Sequence, residues 1–234
     1  MGPEWQLSEQ PLIAQLEAMG WTYIKGSLDD PAATGRERFA EVVQQGVLRE
    51  RLRAINTRTL LDSSRAEWLD DERISTAVSA LTRIAAPGLI EANRMATELL
   101  TEGIVVDGLA DWDGGRSRSI RYIDWDVPAN NQFTVINQYK VKCPPGHDTA
   151  KQHIVPDLVL LVNGIPLVVI ECKSPNLAEP MAEAIDQLRR YSDQRFASGE
   201  AGDHEGAPAL FNTNQLLIAT CFDDCRVVSV HSRT

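Results

Sequence analysis

Residues 156–173, Pro156-Asp-Leu-Val-Leu-Leu-Val-Asn163-Gly164-Ile-Pro-Leu-Val-Val-Ile-Glu-Cys-Lys173, decide the fold of this chain. Two apolar runs flank an Asn-Gly pair, which is the strongest short signal for a β-hairpin because both turn positions require a positive φ. Both runs are apolar at nearly every position, so each strand is covered on both faces. We therefore predict a hairpin inside a central sheet with helices packed on either side.

Three charged residues interrupt this apolar pattern at the ends of the predicted strands. Asp157 stands where the first strand begins, and Glu171 and Lys173 stand where the second strand ends. A hairpin brings those two ends together. Charges at the margin of a buried sheet cost several kcal/mol unless they are paired or bound to a metal. The three side chains are therefore candidates for a functional site.

The register of the hairpin decides whether the two carboxylates can reach one metal ion. A strict two-residue turn places Asp157 opposite Ile170. Alternation would then leave Glu171 on the other face of the sheet. We predict that the hairpin bulges, and that Pro156 and Pro166, which cannot donate to a ladder, are the candidate positions. A regular ladder would contradict this prediction.

The composition is that of an ordinary globular protein, with 43% hydrophobic and 24% charged residues. A length of 234 residues suffices for one large α/β domain, and we expect one domain. Four scattered cysteines are too few for a disulfide framework, which favours the cytoplasm. No run is long enough to span a membrane, and no basic-then-apolar leader opens the chain.

The first half of the chain has mainly helical patterns. Apolar residues recur at helical spacing from 12 to 19, which predicts a helix. Ser8 is its predicted N-cap, and Glu9 lies in the first turn, where the helix dipole stabilises a negative charge. Further patterns predict helices over residues 39–52, 74–84, 89–100 and 179–196, and strands over 104–106, 120–125 and 133–141. We expect a mainly helical N-terminal part, 1–103, that includes the first core helix, and a mixed-sheet core, 104–234.

The charged trio suits phosphodiester hydrolysis, which needs a divalent cation, a deprotonated water and a cationic group near the transition state. Asp157 and Glu171 would supply hard oxygen ligands for Mg²⁺, with the backbone carbonyl of Cys172 as a candidate third ligand. Lys173 lies two residues after Glu171 on the same strand face, so its ammonium would point at the same phosphate. Alternation sends the Cys172 side chain into the core, so we assign that thiol no role.

These assignments have structural alternatives. Lys173 could form only a buried ion pair with one carboxylate. Gln187 and Tyr191 are four residues apart and share one face of a predicted helix. They could be a solvated and a half-buried side chain, or they could hold DNA phosphates or steady the Lys173 ammonium.

Together these residues resemble the PD-(D/E)xK nuclease superfamily in its RecB-like branch. The resemblance is carried by Pro156-Asp157, by Glu171-Cys172-Lys173 and by Gln187-x-x-x-Tyr191. More narrowly, residues 156–173 are similar to the N-terminal region of the HsdR subunit of type I restriction enzymes, as are stretches within 8–20, 123–138 and 214–220. The similarity covers most of the chain and is weakest over 26–115.

The resemblance implies a restriction-endonuclease-like α/β core that cuts double-stranded DNA with Mg²⁺, for which Mn²⁺ can substitute. It implies catalytic roles for Asp157, Glu171 and Lys173, an additional acid at Glu9, and supporting contacts from Gln187 and Tyr191. Two departures exist: Pro11 enters the first helix, and residues 225–230 follow the family only loosely. Neither departure touches the catalytic trio.

The resemblance also implies partners, namely the modification and specificity subunits of a type I restriction complex, and no membrane. No G-x-x-x-x-G-K-[ST] phosphate loop occurs, so ATP would act only through motor domains of a longer polypeptide, of which we expect this chain to be a fragment. The net charge of −10 disfavours autonomous DNA binding but is compatible with DNA delivered by other subunits.

Two other functions remain open from the sequence. The first is a nuclease-like fold that serves as a DNA-binding or docking module without turnover, which the acidic charge favours. The second is a zinc site at Cys221 and Cys225, which is weaker because no second ligand pair lies nearby and His231 alone is insufficient.

Overall fold

The computed structural model of the chain describes residues 4–59, 65–110, 113–145, 152–194 and 205–228. The helices in these ranges are α1 (Gln10–Ala18), α2 (Gln45–Ile55), α3 (Asp71–Thr82), α4 (Leu89–Glu102) and α5 (Pro180–Tyr191). A π-helical turn, Trp5–Glu9, precedes α1, and short 3₁₀ turns cover Pro31–Thr34, Asp113–Gly115, Pro128–Asn130 and Pro208–Phe211. Within the described ranges, every helix is too short or too polar to cross a bilayer.

The strands are β1 (Thr22–Lys25), β2 (Arg58–Thr59), β3 (Arg65–Ala66), β4 (Ile104–Val106), β5 (Arg118–Ile120), β6 (Phe133–Asn137), β7 (Val141–Lys142), β8 (His153–Ile154), β9 (Leu158–Val162), β10 (Ile165–Cys172), β11 (Leu216–Cys221) and β12 (Asp224–Val228). A six-stranded central sheet has the order β1-β6-β9-β10-β11-β12. The pairs β1–β6 and β10–β11 are parallel, and the other neighbours are antiparallel. The predicted α/β fold with a mixed central sheet is confirmed.

The central hairpin consists of β9 and β10. Asn163 and Gly164 form its turn with φ angles of 54° and 78°, as the Asn-Gly pair predicts. A Cβ atom added at Gly164 would lie 2.9 Å from the carbonyl oxygen of Gln44. In turn, the backbone N–H of Gln44 donates to the Gly164 carbonyl. The turn is therefore held against the segment that leads into α2.

Helices cover both faces of this hairpin. On one face, Val159 belongs to the core that contains Leu188 of α5. On the other face, Leu158 and Ile170 pack with Ile13 of α1. Each fully buried aliphatic side chain contributes about 1.5–3 kcal/mol, so burial on both faces makes the hairpin a stable support for the charged residues at its ends.

The helix predicted from residue 39 starts only at Gln45, so its first part is wrong. The reason lies in long-range hydrogen bonds. The Phe39 carbonyl accepts from the Lys142 N–H, and the Gln44 N–H donates to the Gly164 carbonyl. These hydrogen bonds hold residues 39–44 against β7 and the turn of the central hairpin. The apolar periodicity of the sequence does not reveal them.

Two predicted strands are shorter than expected. The strand predicted over 120–125 is wrong beyond Ile120, because β5 covers only Arg118–Ile120 and the Asp124 carboxylate accepts hydrogen bonds inside the loop that follows. The strand predicted over 133–141 breaks at Gln138, which has a φ of 49°. The Gln138 N–H then donates to the carbonyl of Asp157, so this break lies beside the start of β9.

Candidate active site

Asp157 and Glu171 occupy facing positions on neighbouring strands. The β9–β10 ladder contains an irregularity just after Pro166, and beyond it Ile170 pairs with Leu158. The next position along each strand places Glu171 opposite Asp157. The predicted distortion of the hairpin is therefore confirmed, and it brings both carboxylates to one face of the sheet.

Both carboxylates are removed from solvent. Asp157 is 7% exposed and Glu171 is fully buried. The N–H of Cys172 donates to Asp157 Oδ2 over 2.8 Å, which fixes this carboxylate against the backbone of β10. The Cys172 side chain lies in the core on the α1 face, as alternation predicts. The Cys172 backbone therefore lies at the site, and its carbonyl as a metal ligand stays a prediction.

Lys173 completes the predicted trio. Its Nζ donates to Glu171 Oε1 over 2.6 Å, and its side chain is almost fully buried. The second carboxylate oxygen, Glu171 Oε2, is buried and has no hydrogen-bond partner among the described residues. An unpaired buried carboxylate oxygen is costly, so this ion pair alone does not satisfy the site.

The buried charges perturb one another. Burial raises the pKa of Asp157 to about 6, although the Cys172 N–H and the Lys173 charge oppose this shift. Burial and the nearby Asp157 charge raise the pKa of Glu171 well above its usual value. Burial would lower the pKa of Lys173, but the Glu171 charge and hydrogen bond outweigh it and raise that pKa. Lys173 thus stays cationic, but its single positive charge does not compensate the two buried carboxylates beside it.

Ser8 does not cap the first helix, so that prediction is wrong. The helix begins earlier, with the π-helical turn Trp5–Glu9, and Ser8 lies inside it. The Ser8 hydroxyl instead donates to the Lys173 carbonyl over 2.9 Å and accepts from the Phe222 N–H over 3.4 Å. Ser8 therefore fastens the first helix to the end of β10.

Glu9 occupies the N-cap position of α1, but its side chain makes no cap hydrogen bond and lies at the site instead. It is 4% exposed, and its Oε2 atom is buried without a hydrogen-bond partner among the residues that the structure describes. Burial, followed by the charges of Asp157 and Glu4, raises the pKa of Glu9 to about 7. The structure thus brings Glu9 to the predicted trio, while its catalytic role stays a prediction.

Glu4 was missed by the sequence reasoning. Carboxylate oxygens of Glu4, Glu9 and Asp157 lie within 4.8 Å of one another. Glu4 precedes Glu9 by five residues, and only a turn with i→i+5 hydrogen bonds stacks positions at that spacing. The Gln10 N–H makes such a bond to the Trp5 carbonyl. The signal in the sequence was the spacing of five residues between the two acids. On an α-helix that spacing does not place two side chains next to each other.

Gln187 and Tyr191 lie on the same face of α5, as predicted. The Gln187 side-chain amide donates to the Tyr191 hydroxyl over 2.5 Å, and that hydroxyl donates to the Val155 carbonyl over 3.0 Å. Tyr191 thus holds the segment that leads into Asp157. The helix predicted over 179–196 ends at Tyr191, and residues 195 and 196 lie outside the described residues.

The zinc alternative is wrong for the cysteine pair. Cys221 pairs with Asp224 and Cys225 pairs with Thr220 across the β11–β12 ladder. Adjacent ladder positions point to opposite faces of the sheet, and Cys221 is buried while Cys225 is exposed. His231 lies outside the described residues.

Comparisons with known proteins found a matching family model and several similar proteins. A family model described as the N terminus of the type I restriction enzyme R protein matches residues 3–234. The type I restriction enzyme HindI endonuclease subunit of Haemophilus influenzae is 27% identical over 192 residues, which are 80% of this chain and 16% of that protein. A putative type I restriction enzyme MjaIXP endonuclease subunit of Methanocaldococcus jannaschii is 24% identical over 86% of this chain and 19% of its own length. The chain thus spans less than a fifth of these two relatives.

A third relative is covered more fully. The type I restriction enzyme EcoprrI endonuclease subunit of Escherichia coli is 25% identical over 233 residues, which are 96% of this chain and 61% of that protein.

Proposed function

The chain belongs to the family of type I restriction enzyme R protein N termini, and from this premise we propose that it is the domain that cuts double-stranded DNA in such a subunit. The reaction would be Mg²⁺-dependent hydrolysis of phosphodiester bonds. One observation carries the proposal: Asp157, Glu171 and Lys173 converge at the open end of an otherwise apolar hairpin, and one buried Glu171 oxygen has no hydrogen-bond partner in the described part of the chain.

The residues fit a divalent cation. Asp157 and Glu171 offer hard oxygen atoms from facing positions, and Glu171 Oε2, to which no described residue donates a hydrogen bond, is available as a ligand atom. Mg²⁺ takes few protein carboxylates and keeps several waters, so two carboxylates and the Cys172 carbonyl would suffice. When bound, the ion supplies Lewis-acid chemistry and lowers the pKa of a bound water. Mn²⁺ would substitute.

The side chains of the site have separate tasks in this proposal. Glu171 holds the Lys173 ammonium through one of its three N–H groups, which leaves two to donate to oxygens of the scissile phosphate. The Cys172 N–H orients Asp157. Tyr191 fixes the backbone just before Asp157, with Gln187 as its partner, so both act as positioning residues.

The acidic charge of the chain bears on its partners. A protein with a net charge of −10 gains little non-specific affinity for DNA. We therefore propose that other parts of the subunit, together with modification and specificity subunits, deliver DNA to the site. ATP would act only through motor domains outside this chain.

Lys173→Ala in the intact multi-subunit enzyme tests the proposal. Nicking of supercoiled plasmid with Mg²⁺ should fall by about 10²-fold or more, because a buried donor to the transition state is lost. Lys142→Ala removes an exposed lysine and should leave cleavage unchanged. Unimpaired cleavage by an Lys173→Ala enzyme that still hydrolyses ATP would instead favour a docking module without turnover.

A further inference from the structure

We propose that the Phe222 ring inserts between stacked base pairs of the DNA, beside the phosphodiester bond that is cut. This inference rests on the proposed function and adds a DNA-contacting residue to it. Phe222 lies in the tight turn between β11 and β12, where Cys221 pairs with Asp224, and it is 69% exposed. A flat apolar ring of this kind can stack on bases or separate them.

The β11–β12 turn lies at the same edge of the sheet as the catalytic trio. β10 and β11 are parallel and end at this edge, where the Lys173 N–H donates to the carbonyl of Thr220, two residues before Phe222. The Ser8 hydroxyl accepts from the Phe222 N–H over 3.4 Å and donates to the Lys173 carbonyl over 2.9 Å. One hydroxyl group thus links the backbone of Phe222 to that of the catalytic lysine.

The backbone conformation of Phe222 is unfavourable for a phenylalanine. Its φ of 37° lies in the left-handed region, which bulky residues rarely adopt. A two-residue hairpin turn with a positive φ at its first position normally has Gly or Asn there. Burial does not offset this cost, because Phe222 is mostly exposed. Residues held in such conformations cluster at functional sites, which favours a role for the ring outside the fold itself.

Two more exposed apolar side chains lie near this end of β10. Leu7 immediately precedes Ser8 and is 37% exposed, and Leu177 follows Lys173 by four residues and is 38% exposed. The surface next to the catalytic lysine is therefore apolar at three positions, 7, 177 and 222. Such a surface suits the bases of DNA better than its phosphates.

The charge of the chain favours the same mode of contact. A net charge of −10 gains little from neutralising phosphates. Apolar side chains such as Phe and Leu instead enter between base pairs, and unstacking is easiest at the flexible pyrimidine–purine steps TA and CA/TG. A phosphodiester that reaches Lys173 brings its neighbouring bases to Phe222, which is why we assign the ring to DNA rather than to a protein partner.

Sequencing of the first nicks that the intact multi-subunit enzyme makes in plasmid DNA tests this inference. Wild-type nicks should fall at pyrimidine–purine steps at least about twofold more often than these steps occur in the plasmid. Phe222→Gly should lose this preference and nick about tenfold more slowly, because a stacking contact is lost. Phe222→Trp keeps a flat apolar ring and should retain both properties. Ile90→Ala removes an exposed apolar side chain from α4, which contacts the opposite end of β11, and should change neither.

Stability measurements separate a lost contact from a damaged fold. Glycine adopts a positive φ without strain, so Phe222→Gly should unfold at the same or a higher urea concentration than the wild type. Unchanged nicking and step preference in this variant would overturn the role of Phe222 and leave the nuclease proposal intact. A loss of ATP hydrolysis together with nicking would also overturn it, since the ring would then dock against another part of the enzyme. Wild-type nicks without a step preference would overturn it whether or not the variant folds.

Discussion

At the scale of single residues, the buried carboxylates make the metal-free protein sensitive to pH. Asp157 has an ordinary pKa of 3.8 in the unfolded chain and a pKa of about 6 in the fold, mainly because it is buried. Between these values the folded state binds more protons, so the free energy of unfolding falls as the pH rises towards about 6. Above that pH the destabilisation is complete, and it amounts to about 2–3 kcal/mol.

We therefore expect Asp157→Asn to stabilise the metal-free protein at pH 8 by about 2 kcal/mol, and by much less near pH 4. The asparagine side-chain oxygen can still accept the Cys172 N–H. Urea unfolding in the presence of a chelator measures the difference. Asp29→Asn, at an exposed aspartate, should have no comparable effect. A lower stability of Asp157→Asn at pH 8 would contradict the proposed cost of this charge.

The sequence was informative about residues where charge interrupts an apolar pattern. Asp157, Glu171 and Lys173 were recognisable because a buried hairpin tolerates charges only with partners. Glu4 was not recognisable, because its place beside Glu9 depends on one π-helical turn. That turn differs from an α-helix by a single hydrogen-bond shift, and no residue type specifies it.

At the scale of elements, the Asn-Gly turn fixes where β9 ends and β10 begins. Gly164 has a φ of 78°, and an added Cβ would lie 2.9 Å from the Gln44 carbonyl. Gly164→Ala should therefore destabilise the fold by about 1–3 kcal/mol. Gly46→Ala is the matched control, because Gly46 is exposed within α2 and an added Cβ there meets nothing within 4 Å.

We expect Gly46→Ala to stabilise the chain by about 0.5–1 kcal/mol, since alanine is the better helix former. Urea unfolding of both variants gives the two signs directly. Equal effects of the two substitutions would mean that the turn geometry does not limit stability.

Elements whose partners are close in sequence were predictable, and elements with distant partners were not. The hairpin followed from turn chemistry, and its irregularity after Pro166 followed from the requirement that Asp157 and Glu171 reach one metal ion. The start of α2 did not, because the residues before it bond to β7 and to the hairpin turn. The predicted strand over 120–125 failed for a related reason, since loop hydrogen bonds to Asp124 replaced the ladder.

At the scale of the whole molecule, the N-terminal and C-terminal parts are joined through the sheet and its covering helices. Residues 1–103 supply β1 at one edge of the central sheet and α1 on one face. The site lies where this N-terminal helix meets the ends of β9 and β10, so its acids come from both parts of the chain. The expectation of one domain therefore has a measurable consequence.

Asn93 offers the sharpest test of that expectation. This buried residue of α4 donates through its side-chain amide to the carbonyls of Phe211, Asn212 and Asn214, which precede β11. Asn93→Ala leaves these carbonyls short of a donor, and should destabilise the chain by about 1–3 kcal/mol. In a single domain the loss shifts one cooperative transition in urea, seen equally by fluorescence and circular dichroism. Asn176→Ala, at an exposed asparagine, should shift nothing. Two separate transitions, of which only one moves, would show that the helical and sheet parts unfold independently.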